Sequence, residues 1–295
     1  MINHKQLLTL ITVADEGNYS VAARRLNITQ PAVSLQIKAI EQLTGFQVFE
    51  RAEGEFQLTE AGKTVYEHAK IILNQYEMLN DFVRQSLDMK NGTLRIATST
   101  IPGEYILPYH IFAFKKHFPE ILTEIEISDS EHVIENVING EFEIGLVGGM
   151  PVHKELDAKI LWHENLKLIK PKTFNFQPTN LKQIIEQPHI LREQGSGTRE
   201  IISSYLTQNG LNIKKVKSNL VLGTTRAVLS AVEAGLGLSW VSEHALKDVC
   251  SQGKIDVLGS QFDIPRHFYL ITKKKRPLSP LSESFIQYIE TVEIE

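Results

Sequence analysis

Gln30, Ser34 and Lys38 recur at steps of four, a spacing that lines side chains up along one face of a helix. Gln30 is the kind of side chain that grips an adenine edge with two hydrogen bonds, and the Ser34 hydroxyl serves a base or a phosphate. Thr29 and Pro31 stand beside them, and Arg24, Arg25, Lys38 and Arg51 are the cations available to meet phosphates around such a contact. This chemistry suits double-stranded DNA. A second set suits a small anion. It comprises Ser99, Thr100, Ser128, Ser130, Gly195, Ser196, Gly197, Thr198, Arg199 and Thr224. Glycines let backbone N–H groups approach a ligand, hydroxyls donate, and a helix start favours negative charge. The plainer reading is that Ser and Thr are common helix caps, and about half of these residues do only that.

Catalytic and metal chemistry find little support. Gly195-Ser196-Gly197 lacks the strand–turn–helix setting of a nucleophile elbow. Gly235-Leu236-Gly237 ends a helix rather than opening one after a strand, so it is no dinucleotide fingerprint. The ten histidines are scattered. His110 and His117 come nearest to a helical pair, without a third ligand nearby. Lys273-Lys274-Lys275-Arg276 reads as a solvated strand end. No enzyme, metal or cofactor is expected.

The elements that must position the first set are legible. Residues 4–16 carry Leu7, Leu10, Ile11 and Ala14 at the helical period and stop at Gly17. Ser20 is the expected cap of a second helix over 21–26, and Asn27 closes a tight turn. Thr29 is expected to cap a third helix with Pro31 in its first turn. Val33, Ile37, Ile40 and Leu43 would form its buried stripe, leaving Gln30, Pro31, Ser34, Leu35 and Lys38 outside. Two short helices joined by a tight turn, the second with a polar outer face, make a helix-turn-helix. A β-hairpin wing over Ala52-Glu53-Gly54-Glu55-Phe56 and a long helix follow.

Over residues 1–63 the run resembles the DNA-binding domain of the LysR-type transcriptional regulators. The matching residues are Ala22-Ala23-Arg24-Arg25-Leu26, Thr29-Gln30-Pro31-Ala32-Val33-Ser34, Gln36-Ile37, Glu41, Gly45, Phe49-Glu50-Arg51 and Leu58-Thr59-Glu60-Ala61-Gly62. One departure stands out. Family members usually carry a basic wing residue, and here Glu53 and Glu55 occupy it. Residues 1–63 hold six Lys and Arg against seven Asp and Glu, a sum of −1. A basic footprint therefore survives only locally, at Arg24, Arg25, Lys38 and Arg51.

Thr59 caps a helix expected to run to about Lys90, roughly 30 residues and about 45 Å long at about 1.5 Å per residue. Val65, Ala69, Ile72, Tyr76, Leu79 and Val83 alternate in steps of four and three, the seam of a two-stranded coiled coil. The alternative is a helix packed lengthwise on its own domain. The resemblance implies the dimer, with two recognition helices addressing two half-sites. Asn91-Gly92 reads as a hinge.

From Thr93 the period changes. Strands at 94–97, 125–127 and 144–147 alternate with helices at 105–117 and 133–139, which implies a parallel sheet covered by helices. A second set has strands at 190–191, 216–222 and 238–241 and helices at 199–208 and 226–233. The strand at 268–271 and a helix near 281–289 return to the first. The fold class expected is α/β with an N-terminal all-α winged helix-turn-helix and a two-lobed, periplasmic-binding-protein-like effector domain. Its divisions are 1–58, 59–91 as dimerising linker helix, and 92–295. Lobe I takes about 92–161 and 267–295, lobe II about 162–266. Ligands in open α/β lobes bind beyond the strands' carboxyl ends, where the second set of residues lies.

Ser99-Thr100-Ile101-Pro102-Gly103-Glu104-Tyr105 with Arg192-Glu193-Gln194-Gly195-Ser196-Gly197-Thr198-Arg199 resembles the family branch regulating cysteine biosynthesis and sulfur assimilation, and the related carbon-dioxide-fixation regulators. That implies a sulfur oxyanion or small carboxylate as effector. Glu104 and Glu193 would repel it unless they turn away or pair with Arg192 or Arg199. The resemblance also implies promoter DNA and RNA polymerase as partners and a homodimer or homotetramer.

Composition agrees. The 295 residues exceed one simple core; hydrophobic residues at 42% and charged at 22% are ordinary, and the net charge of −4 argues against coating nucleic acid or membrane by charge. No leader or span is expected, and the single Cys250 suits a reducing cytoplasm as a packed residue rather than a redox sensor. The competing function is a cytoplasmic small-anion sensing module with a weak or vestigial DNA head.

Overall fold

The structure, a computed structural model, describes residues 1–52, 55–87, 92–246 and 253–292. Glu53, Asn91 and Cys250 lie outside the described residues, as do the side chains of Arg51 and Glu55. The wing acidity, the hinge and the packed cysteine expected from sequence fall there. The chain divides into two compact units, residues 1–83 and 84–295.

In the first unit, helix α1 (His4–Glu16) opens on Asn3, whose side chain accepts from Gln6 N while the Gln6 carboxamide accepts from Asn3 N. Gly17, at φ 60°, ends it in the left-handed region. Helix α2 (Tyr19–Arg25) starts at Asn18 rather than Ser20. The Asn18 carboxamide reaches the N–H groups of both Ser20 and Val21, which a serine two residues further in cannot do. Asn27, at φ 59°, makes the turn. Helix α3 (Gln30–Thr44) follows Thr29, which stands at the cap position but makes no side-chain cap bond.

Val33, Ile37 and Ile40 are buried, whereas Leu43 is 53% exposed. The next three-residue step carries Leu43 off the stripe as α3 runs past the core. Strands β1 (Phe49–Ala52) and β2 (Glu55–Leu58) pair antiparallel, Phe49 opposite Leu58. Phe49 stacks on Phe56 at 4.8 Å and Tyr19 meets Phe56 at 5.2 Å, which ties the wing's base to α2.

Helix α4 (Glu60–Leu87) is capped by Thr59, whose hydroxyl accepts from Gly62 N at 2.9 Å and donates to Gln47 O at 2.8 Å. A Cβ at Gly62 would stand 2.1 Å from the Val48 carbonyl oxygen, so only glycine permits this contact. Ala69 and Leu73 are buried with Leu10, Ile37 and Ile40, and Val65 packs beside them. The first turns of α4 therefore complete the head's own core. Among the described residues no helix is long and apolar enough to cross a membrane.

The second unit begins with β3 (Thr93–Ser99), a π-helical turn (Pro102–Ile106) and α5 (Leu107–Lys115). Then come β4 (Leu122–Ser128), α6 (Ser130–Asn139) and β5 (Ile144–Gly148). Strand β6 (Leu156–Pro171) carries the chain into α7 (Leu181–Ile185), β7 (His189–Arg192), α8 (Gly197–Gln208), β8 (Ser218–Leu222), α9 (Thr225–Glu233), β9 (Ser239–Ser242) and β10 (Ile255–Val257). Strand β11 (Ile264–Lys273) returns it to α10 (Pro280–Thr291).

Strand β3 pairs in parallel with both β4 and β5, as a βαβ crossover requires, and β7 pairs in parallel with β8. The rest of the main sheet is antiparallel, because β6 and β11 pass between the lobes in opposite directions and pair with each other. The wholly parallel sheet expected from the βα alternation is thus a mixed one. Apolar faces close a core in each lobe and a third cluster that spans them, where Ile101 and Phe268 meet Ile169, Ile190 and Val228. Leu94, Ile96, Leu107, Phe114, Leu146, Leu281 and Phe285 fill one lobe. Leu166, Leu168, Leu191, Ile202, Leu206, Leu238 and Trp240 fill the other.

Candidate functional site

The first candidate surface is the outer side of α3. Thr29, Gln30, Pro31, Ser34, Leu35 and Lys38 are all exposed there, and Gln30, Ser34 and Lys38 make no side-chain hydrogen bond among the described residues. The buried stripe of Val33, Ile37 and Ile40 fixes which face this is. Gln36, between them in sequence, turns inward and accepts from the Thr9 hydroxyl at 2.7 Å. Arg24 is exposed on α2, while Arg25 is tied to Glu16 at 2.5 Å. Arg51 lies in β1.

On α4 the residues expected to form a seam divide. Ala69 is 1% exposed within its own head, so it cannot face a partner, and Val65 leans the same way. Ile72, Tyr76, Leu79 and Val83 remain exposed at steps of four, three and four.

The second candidate is a pocket in the larger unit, lined by Ser99, Thr100, Ile101, Asp129, Ser130, Gly148, Arg192, Ser196, Gly197, Thr198 and Arg266. Three helical segments start at it: the one following Ser99, α6 after Asp129, and α8 after Ser196. Ser99, Thr100, Ser130 and Ser196 are buried residues that line it. The lobes meet here. A Cβ at Gly197 would stand 1.8 Å from Gly148 O and 2.7 Å from the Ser130 Oγ.

Both pocket guanidiniums have carboxylate partners. Arg192 donates to Glu193 through Nε at 2.8 Å and Nη2 at 2.7 Å, and to the Thr225 hydroxyl at 3.0 Å. Arg266 donates through Nε to Glu164 at 2.6 Å, again through Nη2 to the same carboxylate, and through Nη1 to the Thr198 hydroxyl at 2.9 Å. Burial pulls the Arg266 guanidinium down while Glu164 opposes that shift. Glu193 is therefore paired, and burial pushes the Glu104 carboxyl up against the lowering influence of Arg192. Asp129 accepts from His132 N at 2.9 Å as the cap of α6.

Six of the ten residues expected at an effector site line this pocket, and four have other tasks. Ser128 donates to Asp129 O at 3.3 Å, and Gly195 makes a turn at φ 82°. Arg199 donates to the Arg192 carbonyl at 2.6 Å, and Thr224 caps α9 by accepting from Ala227 N at 3.1 Å. A turn need explains Gly195 and a cap need Thr224, while Ser128 and Arg199 are taken up by backbone carbonyls. Asp129, Gly148 and Arg192 sit inside segments that the strand-end rule already marks. Arg266 carried no such signal, since it meets Glu164 only through the pairing of β6 with β11.

Residues 88–293 match the family described as LysR substrate binding domain, and residues 4–63 match bacterial regulatory helix-turn-helix protein, lysR family. The chain belongs to the LysR family. This LysR-type regulator is 34% identical over 289 residues to an HTH-type transcriptional regulator of Methanocaldococcus jannaschii, covering 96% of this chain and 97% of that one. It is 27% identical to the transcriptional activator CmpR of Synechocystis, covering 96% and 93%. To CysL of Bacillus subtilis it is 29% identical, covering 97% and 96%. Among solved structures, CbnR complexed with its target DNA has a TM-score of 0.75 at 22% identity, covering 97% of this chain and 98% of that one. The LysR-type regulator thus joins a DNA-binding head to an effector-binding domain of two lobes.

Proposed function

We propose that a small anion, a sulfur oxyanion or small carboxylate, occupies the pocket between the lobes and sets how this regulator binds promoter DNA. The observation that carries the reading is the set of four hydroxyl-bearing residues, Ser99, Thr100, Ser130 and Ser196, lining one pocket where three helical segments begin. Hydroxyls and free N–H groups beside helix starts are donors that an oxyanion satisfies. Gln30 reads a base edge, Ser34 and Thr29 serve base or phosphate, Leu35 offers an apolar surface to a thymine methyl, and Arg24, Lys38 and Arg51 meet phosphates. Ile72, Tyr76, Leu79 and Val83 pair two copies, and the assembled dimer or tetramer works with RNA polymerase at the promoter.

Sulfur and cysteine metabolism is the pathway proposed. Similarity to CysL supports it, while a CcmR regulatory domain complexed with 2-PG marks another small molecule to be tried. A gel-shift titration of the full chain on its own upstream region, at fixed salt, tests the proposal with sulfite, sulfate, O-acetylserine and 2-PG. One of them is expected to change the apparent affinity. The acidic balance of residues 1–63 favours a second reading, an anion sensor with a weak DNA head. Anion binding without any sequence-specific shift would select it.

A further inference from the structure

Glu164 and Arg266 are direct partners across β6 and β11, the two strands that join the lobes. Arg266 is 3% exposed and Glu164 4%. Arg266 lines the pocket and Glu164 does not. The guanidinium lies over the Phe268 ring at 4.6 Å, and a Cβ at Gly148 would come within 3.3 Å of Nη1, so it is held from several sides. Glu164 gives Oε1 to Arg266 and accepts from the Ser242 hydroxyl through Oε2. His244 stands 3.9 Å from that same oxygen.

The charges around the pocket do not favour a highly charged ligand. Arg192 and Arg266 contribute two positive charges; Glu193, Glu164 and Asp129 contribute three negative ones. Helix starts return only partial charges of about half a unit each. A guanidinium neutralised at its back still offers N–H groups at fixed positions, but it attracts no second negative charge.

Resting on the anion-pocket reading above, we infer that Glu164 is a specificity-determining residue of the effector site. By cancelling Arg266 it makes the pocket select singly charged ligands by donor geometry, so that of the two proposed classes a small carboxylate is favoured over a doubly charged sulfur oxyanion. Glu164 lies outside the pocket lining and is a positioning residue; it acts through Arg266, which also holds the Thr198 hydroxyl. In a buried site of low dielectric, removing one such counter-charge weighs more heavily on a dianion than on a monoanion.

Calorimetric titration of the full chain with sulfate and with acetate, at one pH and ionic strength, tests this through the ratio of the two affinities. Glu164→Gln keeps the shape and removes the charge, and is expected to move the ratio toward sulfate by about tenfold or more. Arg266→Gln leaves Glu164 uncompensated and is expected to move it toward acetate. The double variant, with no orphan charge to destabilise it, is expected to return the ratio to the wild-type value. A purely structural pair would lower the melting temperature of the single variants and leave the ratio fixed, which overturns the inference. Arg266→Gln alone decides the matter should Glu164→Gln fail to fold. If wild-type protein binds both anions with an unmoved ratio in the variants, only this inference falls. If the wild-type protein and all variants bind neither anion, the anion-pocket reading falls with it.

Discussion

His189 is fully buried, with Nδ1 2.8 Å from the Gln187 carbonyl oxygen and Nε2 facing no partner. Burial pulls this imidazole from 6.5 down to about 4. The unfolded chain takes up a proton near 6.5 that the folded chain refuses until about 4, so stability falls as pH drops through that window. At pH 5 the loss from this residue is about 2 kcal/mol. His189→Phe, which keeps a ring against Trp240, is expected to flatten the slope by that amount between pH 7 and 5 in denaturant titrations. His110, also drawn down to about 4 by burial, adds to the slope that remains. On α3, Gln30→Ala is expected to relax one base preference by about 1–3 kcal/mol. Lys38→Ala should weaken every sequence evenly and lower the salt slope by about one. Equal gel-shift affinities for operator and scrambled DNA in both the wild type and Gln30→Ala would count against the DNA face. At this scale the sequence announces what Gln30 or Ser196 is able to do. It does not announce which carboxylate will meet Arg266, because that neighbour is about a hundred positions away and depends on strand pairing.

Elements were more legible than contacts, since caps and periods are local. Gly17 and Gly45 end α1 and α3 at positive φ, and Pro31 sits in the first turn of α3. Asn18 was missed because serine and asparagine cap equally well and only geometry chooses between them. The long helix shows the limit of periodicity. Steps of four and three mark an apolar stripe, but they do not say whether the cover is the head itself or a second copy. Ala69 and Leu73 take the first answer; Ile72, Tyr76, Leu79 and Val83 are left for the second. Replacing Ile72 and Leu79 together by Glu puts two charges in that stripe without touching the head's core. Sedimentation velocity is expected to show a smaller assembly, with thermal unfolding of the head unchanged. An assembly of wild-type size would mean the copies pair through another surface.

For the whole effector unit, the decisive geometry is the meeting of lobes at Gly197 and Gly148. The sequence placed glycines at both strand ends but could not show that they touch, because β6 and β11 set how the lobes approach. Gly197 lies in the ordinary helical region, so alanine there carries no backbone penalty; the obstacle is its Cβ, 1.8 Å from Gly148 O. The clusters around Leu94 and Leu166 lie away from this contact in Gly197→Ala, while the added methyl pushes the lobes apart at the pocket against the apolar contacts they share through Ile101 and Phe268. A ligand that binds only the approached form stabilises it by about 2.7 kcal/mol at a hundredfold excess over Kd. For a unit of this size that is a rise in Tm of several degrees, roughly 2–4 °C per kcal/mol. Gly197→Ala is expected to melt near the ligand-free wild type and to lose that rise with whichever anion the wild type binds. Were the rise retained in full, anion binding would not need the lobes to touch, and the pocket would act within one lobe rather than as a clamp between two.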